Sequence, residues 1–228
     1  NHFLEESVKA VVVVDCENAD PYKFCATLRN LDKQVLGKIS KIILYDDIHS
    51  ASAWKILDAY VNTPVEHVLI ERVKQNKSLV DIRLTGGVCR EFYQNGVDSF
   101  IIASSDSDYW GLISSLPEAR FLVMVEHGKC GPHIKTALAT SGIFYCYLDD
   151  FYSGNTTDIK VSALIREIYR YLDRSFCLNV NDMMEEAYRV TRIEMSDAEK
   201  RQFFNKYIKP MHLIIGKDGN VSIELKRN

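Results

Sequence analysis

Two apolar runs in this chain end in carboxylates. Residues 10–14, AVVVV, lead into Asp15-Cys16-Glu17-Asn18, and Phe100-Ile101-Ile102-Ala103 leads into Ser104-Ser105-Asp106-Ser107-Asp108. A further carboxylate, Asp81, opens an amphipathic stretch just past Lys74 and Lys77. Two unit charges ~6 Å apart repel by roughly 3 kcal/mol at an effective dielectric of ~20. Clustered carboxylates therefore take up protons or hold a cation. Carboxylate and water oxygens suit Mg²⁺ or Mn²⁺, ions that keep several waters and bind phosphates. Such an ion lowers the pKa of a water and stabilises in-line displacement at phosphorus. The small Ser104 and Ser105 beside Asp106 leave room for a phosphodiester.

Those residues need elements to position them. Short apolar runs recur at residues 10–14, 41–45, 66–70, 99–103, 121–125 and 144–148. Most are rich in Val, Ile and aromatics and do not alternate, which predicts strands of a parallel sheet buried on both faces. Amphipathic stretches follow at 21–32, 51–60 and 80–95. Val80, Leu84, Val88 and Phe92 fall four apart and predict one helical stripe, with Gly86-Gly87 as a soft spot inside it. Strand alternating with helix is the α/β signature, with helices on both faces. In such sheets ligands bind beyond the carboxyl ends of the strands. Asp15, Asp81, Asp106 and Asp108 are therefore expected to converge at one sheet edge.

The pattern changes after the polar stretch 153–158. Helices are predicted at 160–174, 181–190 and 197–207, the last opened by the capping box Ser196-Asp197-Ala198-Glu199. Strands at 212–215 and 221–225 flank Lys217-Asp218-Gly219-Asn220, a hairpin signal. Three helices and a hairpin resemble a winged helix. The expected division is 1–154 and 155–228. Residues 155–228 carry 13 Lys and Arg against 11 Asp and Glu, while the first 154 carry 15 against 20, so a mildly basic tail follows an acidic first part. No run of ~18 apolar residues predicts a membrane span, and no signal-peptide pattern opens the chain. Six scattered cysteines without a CxxC pair are the usage expected of a reducing, cytoplasmic setting.

VVVVDCEN, then KQNKSLVD, then ASSDSDYWGLI together resemble the NYN family, a branch of the PIN-like nucleases. The resemblance covers about residues 8–152. It implies a Rossmann-like three-layer sandwich and metal-dependent RNA cleavage, with Mg²⁺ or Mn²⁺ on Asp15, Asp81, Asp106 and Asp108. It makes Asn18 an orienting polar group and RNA the partner. From their own places in the sequence, Lys74, Lys77, Ser104 and Ser105 are expected to contact substrate, and the C-terminal module, outside the span of the resemblance, is expected to position RNA or a partner protein. Ser105 and Tyr109 stand where the family commonly has Gly and Phe. Gly86-Gly87 stand where it often has a further acidic residue, so one well-held ion is expected.

Plainer readings stand beside these. Asp15 and Asp108 could each cap the helix that follows. Asn18 also reads as a turn residue, and Lys74 with Lys77 as a solvated pair. Asp46-Asp47 reads as surface loop. His127, Lys129 and His133 read as loop before they read as an acid or an RNA contact. Tyr109 and Trp110 read as core and groove wall. Lys200, Arg201, Lys206 and Lys209 read as a solvated face, with an RNA backbone contact as the alternative. The rival functions are a catalytically weak or inactive RNA-binding adaptor and a phosphatase of the haloacid-dehalogenase type. The latter is echoed only by Asp15-x-Glu17.

Overall fold

Runs of Val and Ile without polar alternation form the centre of the sheet, because only strands covered on both faces tolerate them. The computed structural model describes residues 1–72, 79–140, 142–151, 156–175 and 178–225. Its strands are β1 (Ala10–Asp15), β2 (Ile39–Asp46), β3 (Val65–Leu69), β4 (Ser99–Ala103), β5 (Arg120–Val125) and β6 (Phe144–Tyr147). They form one sheet in the order β3-β2-β1-β4-β5-β6, and every neighbouring pair is parallel. The chain winds outward from β1 toward β3, then returns and winds the other way from β4. The strand order therefore reverses between β1 and β4, which is where open α/β sheets leave a crevice.

Alternation along each strand sorts the core into two layers. Val12, Val14, Ile42, Leu44 and Ala103 face one side, with Phe24, Leu28, Trp54 and Leu57. Val11, Val13, Ile43, Phe100 and Ile102 face the other, with Val80, Leu84 and Val88 from the helix Val80–Asn95. The result is a three-layer α/β sandwich. The expectation of burial on both faces fits β1 and β4, whose residues are buried throughout up to Ala103. It does not fit the edges: β3 and β6 are partly exposed, because each has one neighbour only.

Helix boundaries follow local chemistry. Asp20 accepts from the Tyr22 and Lys23 amides and caps the helix Pro21–Arg29, with Pro21 at its first position. The stretch 51–60 divides into Ala51–Trp54 and Leu57–Tyr60. The helix Pro132–Thr140 forms where loop was expected. Inside Val80–Asn95 the glycine pair is not a weak point but a contact. A Cβ on Gly87 would run into the Tyr45 hydroxyl, whereas Gly86 faces open space. Gly87 lets the helix approach β2 closely.

Backbone packing divides the chain into Asn1–Tyr169 and Arg170–Asn228. The helix Thr157–Ser175 begins in the first unit. There Ile159 is fully buried in the core layer of Phe24 and Leu28, and Asp158 pairs with Arg29 at 2.9 Å. The second unit holds the helices Val180–Thr191 and Asp197–Phe203, a π-helical turn Phe204–Ile208, and the antiparallel hairpin β7 (His212–Ile215) and β8 (Val221–Glu224). Both halves of the Ser196–Glu199 capping box are formed. Among the described residues no helix is long and apolar enough to cross a membrane.

Candidate active site

Asp15 is the last residue of β1, in register with Tyr45 and one step past the Val14–Ala103 pair. That places it at the reversal of strand order, facing the layer of the Val80–Asn95 helix. It is 2% exposed. A carboxylate so buried needs donors, and four are present. Oδ2 accepts from Asn18 Nδ2 at 2.9 Å, from Ser104 Oγ at 3.1 Å and from the Tyr109 hydroxyl at 3.1 Å. Oδ1 accepts from the Glu17 amide at 3.2 Å. Asp15 does not cap the following helix; Asp20 does.

Asp106 lies just past the end of β4. Its amide donates to Ser104 Oγ at 3.1 Å, and its Oδ1 accepts from the Asp108 amide at 3.1 Å. Ser104 thus joins Asp106 to Asp15, accepting from one and donating to the other. Asp81 comes from the first turn of Val80–Asn95. One carboxylate oxygen from each of Asp15, Asp81 and Asp106 lies within 4.8 Å of the other two. Burial pushes the Asp81 carboxyl above the ordinary aspartate range. The Tyr109 hydroxyl opposes that shift, and the charges of Asp106, Asp15 and Asp108 add to it. Burial, then Asp15 and Asp81, push the Tyr109 hydroxyl far above its ordinary value, so it stays a donor.

Asp108 was expected in the same cluster, but its side chain is not among the three that meet. The turn after β4 brings its amide to Asp106 and leaves the residue exposed. Neither does it cap the helix Trp110–Ser115, whose cap position is Tyr109. Ser104 and Ser105, expected at the substrate, are both buried. Ser105 Oγ accepts from the Glu126 amide at 2.9 Å and ties the end of β4 to β5. Asn18 turns inward to Asp15. Lys74 and Lys77 lie outside the described residues.

Several neighbours take other work. Asp46 and Asp47 are buried, not surface loop. Asp47 receives a two-pronged contact from Arg72, with Nε at 2.9 Å and Nη2 at 3.2 Å, and Arg72 also reaches Glu17 at 3.1 Å. Beyond β5, Glu126 pairs with Lys23 at 3.0 Å and with Lys129 at 3.3 Å. His127 stacks on Tyr147 with ring centres 3.8 Å apart and lies 3.1 Å from Asp150. His133 belongs to the helix Pro132–Thr140. With Asp106, Trp110, Ile113, Val123 and Ile134 it lines an apolar cavity beside the cluster. The residue that sequence reasoning missed is Tyr109. Its only signal was an aromatic with a hydroxyl directly after Asp108.

The three carboxylates fit a hard divalent cation. Their donors are all oxygen, and among the described residues none of them forms an ion pair with Lys or Arg. Tyr109, Asn18 and Ser104 consume one Asp15 oxygen, which leaves Oδ1 the freer one to face an ion.

Among solved structures, a protein of unknown function from Vibrio parahaemolyticus is similar over 65% of this chain and 97% of its own, at 12% identity and a TM-score of 0.45. No curated protein matches the chain. The NYN domain family model matches residues 9–140, a span that takes in Asp15, Asp81, Asp106 and the strands that present them. With more than half of its length matched, the chain belongs to the NYN domain family, a group of PIN-like nuclease domains.

Proposed function

We propose that this protein is a metal-dependent endoribonuclease that hydrolyses RNA phosphodiester bonds. The observation that carries the reading is the meeting of Asp15, Asp81 and Asp106 within 4.8 Å at the reversal of strand order in an NYN domain. Mg²⁺ or Mn²⁺ held there would supply charge to offset the phosphate and lower the pKa of an attacking water. The chain's own part is to hold the ligands still. Asp15 is fixed by four donors, and Asp106 by Ser104 and the Asp108 amide. Oriented groups of this kind need no reorganisation during the reaction. The apolar cavity lined by Trp110 beside Asp106 offers a base an aromatic ring to stack on. Within the C-terminal unit, Lys200 and Arg201 line a groove with Tyr188 and Phe204, and we assign RNA positioning to it.

Purified protein with end-labelled RNA tests the reading. Cleavage is expected with Mn²⁺ or Mg²⁺ and not with EDTA. Asp106→Asn should lower the rate by at least about 100-fold, equivalent to roughly 3 kcal/mol, while far-UV circular dichroism stays unchanged. An unchanged rate in the folded variant would remove Asp106 from the chemistry. The adaptor reading has one observation in its favour: neither Gly86 nor Gly87 offers a carboxylate, and Gly87 is committed to Tyr45. RNA binding without cleavage under every metal condition would select it.

A further inference from the structure

The ends of the central strands carry polar side chains on both faces of the sheet. Asp15 faces the layer of Tyr109, whereas Cys16 faces the opposite layer with Phe24 and Trp54. On that opposite face Cys16 meets Asp46, from the end of β2, and His67, from β3, whose register partner is Leu44. One donor atom from each lies within 4.8 Å of the other two.

The three are placed as ligands would be. Asp46 is fully buried, and its Oδ1 accepts from the Ile48 amide at 3.0 Å, which fixes the carboxylate plane. Its Oδ2 lies 2.9 Å from His67 Nε2. The His67 side chain is 24% exposed and gives the cluster its access to solvent. Asp47, the adjacent carboxylate, is taken up by Arg72 and does not compete.

We propose that Cys16, Asp46 and His67 bind a zinc-class divalent cation, in a site separate from the carboxylate cluster on the other face. Sulfur, imidazole nitrogen and carboxylate oxygen are the donors Zn²⁺ takes, and three protein ligands leave a fourth position for water on the His67 side. A thiolate and a carboxylate balance the ion's charge, and the Cys16 thiol proton passes to solvent as the bond to sulfur forms. Sulfur disfavours Mg²⁺ and Mn²⁺ here, as the all-oxygen cluster disfavours zinc there. The two faces of the same strand ends thus sort cations by ligand chemistry.

Cobalt titration of the full chain tests this, because Co²⁺ reports a bound thiolate by its absorption. One equivalent is expected to produce thiolate-to-cobalt absorption that Zn²⁺ displaces and excess Mg²⁺ does not. Cys16→Ser should abolish it. His67→Gln should weaken Zn²⁺ affinity, measured by calorimetry, by more than about 100-fold, since even outer partners of metal ligands cost 10–100-fold. Asp106→Asn should keep the absorption. The proposal is overturned if the wild type gives no thiolate absorption or if folded Cys16→Ser retains it. Loss of the absorption in Asp106→Asn would mean one shared ion and would overturn the separate site. Should Cys16→Ser fail to fold, unchanged Zn²⁺ affinity in His67→Gln overturns it equally.

Discussion

Asp15 sits in a nearly closed site, so its neighbours decide what burying a carboxyl there costs. The Tyr109 hydroxyl is one of three donors to Oδ2. Tyr109→Phe keeps the ring and removes only that donor. It is expected to destabilise the protein by about 1.5–3 kcal/mol, the range for a hydrogen bond to a charged group. Urea denaturation in EDTA measures this, and a change below about 0.5 kcal/mol would mean that water replaces the hydroxyl. Asp81 gives a pH signature. Burial raises its carboxyl, Tyr109 opposes, and Asp106, Asp15 and Asp108 add to the rise. A raised carboxyl favours the folded state while it is protonated. That contribution is complete below the unfolded-state value and is lost as pH rises through the folded-state value. Without metal, Asp81→Asn is therefore expected to gain stability over wild type as pH climbs from the ordinary aspartate range toward neutrality, and Mn²⁺ should erase the gain. Paired denaturations at about pH 4 and pH 7 decide it; an equal difference at both leaves Asp81 uncoupled from the cluster. The acidic positions were legible because strand ends gather polar groups and carboxylates without partners are costly. Tyr109 and the buried Asp46 were not, since their side-chain partners, Asp15 and His67, come from other elements, and no local pattern encodes a hydrogen bond between elements.

At the scale of the element, the helix Val80–Asn95 shows how one stripe can hold two kinds of information. Leu84 and Val88 bury the helix, and their spacing of four was readable. The role of Gly87 was not, because what it accommodates, the Tyr45 hydroxyl, lies on β2. Two alanine substitutions separate propensity from contact. Gly86→Ala, in open space, is expected to stabilise by about 0.5–1 kcal/mol. Gly87→Ala pushes a methyl into a buried tyrosine and is expected to cost about 1–3 kcal/mol net. Thermal melts of both variants in one buffer give the comparison, and the same sign for both would show that helix propensity alone governs the pair. The six strand positions were legible to within about two residues, the usual boundary error, since Val and Ile runs without alternation have few other uses. Pro132–Thr140 was not, because its flanking glycines and histidines read as loop while Leu138 alone is fully seated in the core.

For the whole molecule, the order of the strands matters more than their number. A sheet wound outward in both directions from β1 and β4 leaves its crevice between those strands, and Asp15 and Asp106 sit at its lip. The change of pattern after residue 153 was legible as composition, but not which turns of the next helix dock. Ile159 is fully buried beside Phe24 and Leu28, and Arg29 holds Asp158. The start of Thr157–Ser175 therefore completes the core of the first unit, while the unit Arg170–Asn228 has its own internal packing. Two truncations follow from this. A chain ending at Tyr169 is expected to unfold in one cooperative transition with the core intact. A chain ending at Gly154 lacks Ile159, worth about 1.5–3 kcal/mol when fully buried, and the solvent-screened Arg29–Asp158 pair. It should be less stable than the longer chain by about 1.5–3 kcal/mol in urea. Equal midpoints for the two chains would show that Ile159 contributes nothing to that core. The chain ending at Tyr169 also isolates the C-terminal contribution to RNA. Full-length protein should bind more tightly, with a steeper fall in affinity as salt rises, because every phosphate neutralised on a single strand adds about 0.7 to the salt slope. If both chains bind RNA with the same affinity and the same slope, the C-terminal unit engages no phosphates and its role lies with another partner.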